Sequence, residues 1–140
     1  MASNYTTNYQ LNQWAKSDRV MMDDFNADNA KIDAALKAVA EGGTKLVTGS
    51  YVGTGSYGAS NPNTLTFASQ PKLVIIFGAY TIIAPNPAQW APTLDSSGLD
   101  RYYGCPLTWS GNQLIWWSNS SEQYQCNKAG ETYHYIALLG

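Results

Sequence analysis

Apolar residues between Met22 and Val39 recur at Met22, Phe25, Ile32, Leu36 and Val39, and Asn29 fills the one gap in an otherwise unbroken 3-4-3-4-3 spacing. Alternating steps of three and four keep a single narrow stripe on one side of a helix. That is the seam of a coiled coil rather than the broader face that docks on a globular core. An Asn inside such a seam lowers stability and favours one register, since only certain alignments let buried amides satisfy each other. The pattern therefore predicts a helix that meets copies of itself through Met22, Phe25, Asn29, Ile32, Leu36 and Val39. The alternative is an amphipathic helix packed on its own domain with Asn29 at the edge, because the stripe runs for fewer than three heptads.

The flanks set the expected limits of this helix. Residues 1–17 have polar spacing and no helical period, with Tyr5, Tyr9 and Trp14 among them, and read as an extended arm. Ser17 or Asp18 can cap the first turn, where Asp23 and Asp24 suit the positive end of the dipole. The Ala-rich AALKAVA sustains the helix, and Gly42-Gly43 ends it with a left-handed cap. The predicted organisation is an arm at 1–17, an oligomerising helix at 18–43 and a β domain at 44–140.

Beyond Gly43 the period changes from helix to strand. KLVTGSYV is followed by the Gly-rich GTGSYG, then NTLTF, then KLVIIFGAY, whose LVIIF core has no polar alternate and so reads as a central strand covered on both faces. Thr81 to Arg101 is broken by Pro85, Pro87, Pro92 and Ser96-Ser97-Gly98, and is expected to be a long loop or short edge pieces. PLTW and NQLIWW read as a hairpin around Ser110-Gly111. QYQC and ETYHYIALL close the chain as strands, the last apolar on both faces near its end, as burial at a subunit contact would require. The expected fold is mainly β with an N-terminal helix: an antiparallel β-sandwich or barrel-like domain on a short oligomerising coiled coil.

Charge sharpens the division. Residues 1–48 carry five Lys/Arg and six Asp/Glu, whereas residues 49–140 carry three and four, yet hold 14 of the 18 aromatic residues. A β domain made soluble by Gly, Ser, Thr and Asn, with Tyr and Trp among them, suits contact with neutral polar ligands or with its own copies. A formal charge of -2 with no basic cluster provides no footprint for nucleic acid. No apolar run reaches transmembrane length and no signal-peptide or lipidation pattern opens the chain, so neither membrane insertion nor secretion by that route is expected. Cys105 and Cys126 lack a second ligand pair and make no metal site; they either pair or lie as buried thiols in adjacent strands.

YQLNQWAKSDRVMMDDFNADNAKIDAAL, with Trp14, Asp18-Arg19-Val20, Asp24-Phe25-Asn26 and Lys31-Ile32-Asp33, resembles the start of phage tail-fibre and baseplate-associated proteins from phages and prophages of Gram-positive gut bacteria. The resemblance covers about the first third of the chain. The remainder, from GSYVGTGSYG through PKLVIIFG to ETYHYIALLG, looks like small tail-tip domains with a Tyr-rich last strand, and more loosely like H-type lectin domains. It implies a homotrimer in a virion tail, made in the host cytoplasm and acting outside the cell, with other tail or baseplate proteins and a bacterial cell-surface glycan as partners. The family's ligand residues do not transfer onto this chain. Ser118 to Glu122 and the interval around Trp90 depart from the simplest family pattern.

Catalytic chemistry has little material. The one histidine, His134, falls mid-strand between two tyrosines and reads as structural; no GxSxG, phosphate loop or zinc-protease motif occurs. Asp95 and Asp100 could form a glycosidase pair only at a separation of roughly 5–9 Å, and read more simply as solvated loop acids. The chain is expected to be no enzyme and to need no metal or cofactor. Binding has better material: Trp90, Tyr102 and Tyr103 flank the long interval beside Asp95, Asp100 and Arg101. An aromatic face stacks on a sugar while charged groups fix its hydroxyls. Against this, the tryptophans Trp109, Trp116 and Trp117 can build the core, and the loop aromatics can pack an interface. Three functions follow: a glycan-attaching receptor-binding module, a structural connector or tip with protein partners alone, and, least favoured, a polysaccharide depolymerase.

Overall fold

The computed structural model describes the chain apart from residues 96–97 and the side chains of 98–102. Two compact units appear, Met1–Gly43 and Thr44–Gly140. In the first, α1 spans Met22–Gly42. It starts later than Ser17 or Asp18 would place it: the N-cap position is Met21, without a side-chain cap, and Asp23 and Asp24 occupy the first turn. Asp18 is engaged elsewhere. Its carboxylate accepts from the Ser3 hydroxyl, from the Ser3 amide at 2.9 Å and from the Ala15 amide at 2.7 Å. These bonds, the Ser3 hydroxyl foremost, hold the carboxyl below its ordinary range. The helix does end at Gly42, but Gly43 is extended (φ -76°, ψ 141°) and returns its N–H to Val39 O, so no left-handed cap forms.

The arm is not extended. β1 (Asn4–Tyr5) pairs antiparallel with β2 (Asn12–Gln13), and the chain turns back between them with Gln10 at φ 54°. This small hairpin docks on α1 through Asp28, the buried charged residue of the helix. Its carboxylate accepts from Asn12 N at 3.0 Å and Asn12 Nδ2 at 2.9 Å, while Lys31 Nζ donates to Gln10 O at 2.5 Å. Hydrogen bonds to a charged acceptor contribute about 1.5–3 kcal/mol apiece, enough to hold a hairpin too short to be stable by itself. Trp14 stacks on Phe25 at 5.3 Å, and Tyr9 and Leu11 border a hollow with Ile32, Leu36 and Val39. At 100° per residue, Asp24, Asp28 and Lys31 lie on one flank of the apolar stripe, and Met22, Asn29 and Leu36 lie on the opposite side. Those three are exposed, as are Phe25, Ile32 and Val39; Leu36 keeps 66% and Val39 68% of their surface in water.

In the second unit eight strands form one antiparallel sheet. They are β3 (Lys45–Val52), β4 (Asn63–Thr66), β5 (Pro71–Phe77), β6 (Thr81–Pro85), β7 (Trp90–Asp95), β8 (Gly98–Ser110), β9 (Gln113–Trp116) and β10 (Thr132–Leu139), in the order β3-β10-β5-β6-β7-β8-β9-β4. The sheet curls, so that Tyr51 on β3 comes within 6.1 Å of Trp116 on β9, and Phe67 meets Tyr135 edge-on at 5.9 Å. Inward residues at every second position, among them Val74, Ile76, Ile82, Ala84, Leu114, Trp116 and Tyr133, form the core.

Two strand expectations change. Thr81 to Arg101 is not a loop: β6, β7 and the start of β8 run through it. Its prolines sit where a sheet tolerates them, Pro85 at the end of β6, Pro87 in a turn, and Pro92 at the point where the β7–β8 register shifts. QYQC is not a strand. It lies in the turns between β9 and β10, with Cys126 at φ 54° and Gln125 fully buried. Cys105 on β8 and Cys126 in those turns are both buried free thiols, so neither the pairing nor the adjacent-strand expectation holds. Burial pushes Cys105 up to about 12 and raises Cys126 as well. We expect neither to react with a water-soluble thiol reagent at neutral pH until the fold is opened with denaturant, as mass spectrometry of the labelled chain would record.

Pairing registers place three rows across the outer face of the sheet: Leu46–Leu138–Leu73–Pro85, Thr48–Ile136–Ile75–Ile83 and Ser50–His134–Phe77–Thr81. None of these positions is Lys, Arg, Asp or Glu, and Leu46, Phe77 and Ile83 are exposed. Within the described unit the LVIIF strand is thus buried on one face and partly open on the other.

Candidate functional site

Of the residues singled out for sugar binding, Trp90 and Tyr103, the described aromatics, do not share a face. Trp90 opens β7 on the outer face, 49% exposed, and its indole lies over Gly104 so closely that a Cβ there would strike the ring. Along β7, Ala91 and Thr93 point inward. Tyr103 belongs to a different group: it stacks on Tyr124 at 4.4 Å, and Tyr124 meets Tyr80 edge-on at 5.4 Å. The inward Thr93 hydroxyl and the Cys105 thiol both donate to Tyr124 O, at 2.7 and 3.2 Å. Trp90 and Tyr103 are therefore on opposite sides of the β7–β8 pair. Asp95 ends β7 opposite Gly98. The side chains of Asp100, Arg101 and Tyr102 lie outside the described residues, and with them the proposed carboxylate pair. Of the other tryptophans, Trp116 is core and donates to Gln125 O at 2.8 Å, and Trp109 donates to Ala88 O at 2.7 Å.

A better-formed site lies between the two free edges of the curled sheet. β3 and β4 flank a cleft of about 380 Å³ lined by Tyr51, Val52, Thr54, Ser56, Asn61, Asn63, Thr64, Leu65 and Asn127, with Trp116 beneath. No lining residue is ionisable except Tyr51, whose hydroxyl donates to Cys126 O at 2.6 Å and whose pKa burial drives upward. One wall is the Gly-rich connection from β3 to β4, which contains GTGSYG. Such a sequence has no propensity to hold a shape; here two carboxamides from the β9–β10 turns hold it.

Gln125 uses its whole side chain for this. Oε1 accepts from Gly58 N and Ser118 N, each at 2.9 Å, and Nε2 donates to Asn61 O and Asn63 Oδ1, each at 2.8 Å. Asn127 Oδ1 accepts from Thr54 N at 3.1 Å, and its Nδ2 donates to Thr54 Oγ1 at 2.8 Å and Ser56 O at 2.7 Å. Backbone bonds from Gly53 N to Glu131 O and from Gly55 N to Asn127 O, at 2.8 and 2.7 Å, pin the start of the loop. Gly53 must be glycine, because a Cβ would collide with Lys128 O. The unusual cost of burying two amides is thus offset by a fully satisfied network that fixes a surface loop. The sequence signal was present as Gly/Asn richness next to a free strand edge. Its partners, some seventy residues away, carried no periodic mark.

No protein-family model, curated protein or solved structure matches the chain. Among the described residues no group of three or more His, Cys, Asp or Glu could hold a metal ion, and no helix is long and apolar enough to cross a membrane. His134 lies on the outer face of β10 with its ring 5.7 Å from Phe77, away from the cleft residues.

Proposed function

We propose that the protein is a homo-oligomeric component of a phage tail or tail-like particle, a receptor-binding module whose β units attach to a neutral glycan on the host cell surface. The observation that carries the self-association is the stripe of α1: Met22, Phe25, Ile32, Leu36 and Val39 each leave 42–78% of their surface in water. A stripe of that kind is stable in water when covered, and copies of the same helix cover it in register. In this reading α1 forms a short coiled coil with its copies, and the hairpin edge at Tyr9 and Leu11 widens the seam. The strand number, three, rests on the resemblance of the first third of the chain to tail proteins. Asn29→Leu should raise the melting temperature of the assembly and broaden its distribution of oligomer sizes, read by native mass spectrometry, because the amide's cost and its selectivity leave together.

Attachment then depends on copies. A shallow neutral sugar site binds with a dissociation constant on the order of millimolar. Three such sites in one assembly raise avidity by roughly 10² when the surface repeats the glycan within reach. The outer face of the β sheet favours a second reading, a connector or tip with protein partners alone. Its rows hold no Lys, Arg, Asp or Glu, and an identical copy of the β unit is a matching cover. A glycan array probed with the full chain tests the choice. Retention of neutral glycans supports the receptor-binding module, and an empty array with an intact oligomer supports the connector.

A further inference from the structure

The geometry points to the cleft between β3 and β4, rather than the Trp90 surface, as the place where the β unit takes a neutral saccharide. This deepens the receptor-binding reading and rests on it. First, the site is built before any ligand arrives: the Gln125 and Asn127 amides hold the 53–63 wall with every polar atom of Gln125 engaged. A prearranged wall removes most of the ordering cost of binding a small polar ligand. Second, the groups left over suit hydroxyls. Asn63 gives its carbonyl to Gln125 and keeps its amide hydrogens. The Thr54 oxygen accepts from Asn127 and keeps its proton, and Ser56 and Asn61 stand at the exposed rim. Third, Val52, Leu65 and the Tyr51 ring provide apolar contact for the C–H face of a pyranose, and the volume of about 380 Å³ admits one to two sugar units.

An absence of Lys, Arg, Asp and Glu from the lining selects against charged sugars and phosphates. A peptide strand fits less well. Seven successive antiparallel pairings make β3 and β4 antiparallel to each other, so a strand inserted between them would be parallel to one edge.

The test titrates the isotope-labelled full chain with N-acetylglucosamine, N-acetylgalactosamine, glucose, galactose and rhamnose at millimolar concentrations, following amide shifts by NMR. At least one sugar should shift the amides of Thr54, Ser56, Asn61 and Thr64. Thr64→Trp, which fills the cleft from an exposed edge position, should weaken that sugar tenfold or more. Asn61→Ala should weaken it severalfold, and Trp90→Ala should leave it unchanged. Both cleft variants should keep the wild-type melting temperature. Shifts centred on Trp90, abolished by Trp90→Ala and insensitive to Thr64→Trp, would overturn the cleft and leave the glycan reading standing. If no sugar shifts any amide and the full chain is also silent on a glycan array, the receptor-binding reading falls and takes the cleft with it.

Discussion

Leu36→Asp should convert the full chain from an oligomer to a monomer across the micromolar range, without loss of the β unit's near-ultraviolet circular dichroism. Each copy would bring an unpaired carboxylate into the seam. The cost of several kcal/mol per buried charge, repeated in every subunit, exceeds what a stripe of this length can recover. In the single chain Leu36 is 66% exposed, so the same change costs the isolated subunit little. That contrast makes the variant informative. A loss of assembly with an intact fold assigns Leu36 to an interface between copies, whereas a loss of fold would assign it to intramolecular packing.

Gln125→Ala has the second large effect, on the β unit. Truncation strands Gly58 N, Ser118 N and Asn61 O, each of which now meets Gln125 at 2.8–2.9 Å, and leaves a cavity in a fully buried position. Unmet buried groups cost about 1–3 kcal/mol each, partly relieved if water enters, so a net destabilisation of about 3 kcal/mol in urea denaturation is expected. The 53–63 loop should lose hydrogen-exchange protection first, because Gln125 ties it to the body of the sheet. A variant within 1 kcal/mol of wild type would mean that the loop is held by the Asn127 and backbone contacts alone.

The periodic parts of the chain were legible and the polar parts were not. The 3-4 stripe and the Gly42-Gly43 stop announce α1, and the short apolar and aromatic runs KLVTGSYV and ETYHYIALL, set off by Gly- and Asn-rich turns, announce β3 and β10. The Ser110-Gly111 signal likewise marks the β8–β9 hairpin, with Gly111 at φ 58°. Proline misled at 81–101, since it breaks a strand only where its missing N–H faces a partner, and register shifts and strand ends remove that demand. The arm misled too: Asp18, which helps fold it back, reads from sequence as a helix cap, and Asp28 carries no mark that sets it apart from the other acids of the helix. For the site, the nearness of Trp90 and Tyr103 to one interval of the sequence suggests nearness in space. Trp90 and Tyr103 instead fall on opposite sides of one strand pair, because neighbouring strands share a register but each side chain takes its face from the pleat. The cleft residues Thr54, Asn63, Gln125 and Asn127 come together only through contacts between distant segments, which no local pattern encodes.

Self-association through α1 is the claim on which avidity, the role of Asn29 and the Leu36 result all depend. Sedimentation equilibrium of the full chain measures it most directly. At micromolar concentration the predicted mass is about three times the 15.3 kDa of one chain. A species of 15.3 kDa that persists to ~100 µM would contradict it, since a stripe left open to water at that concentration does not recruit copies of itself.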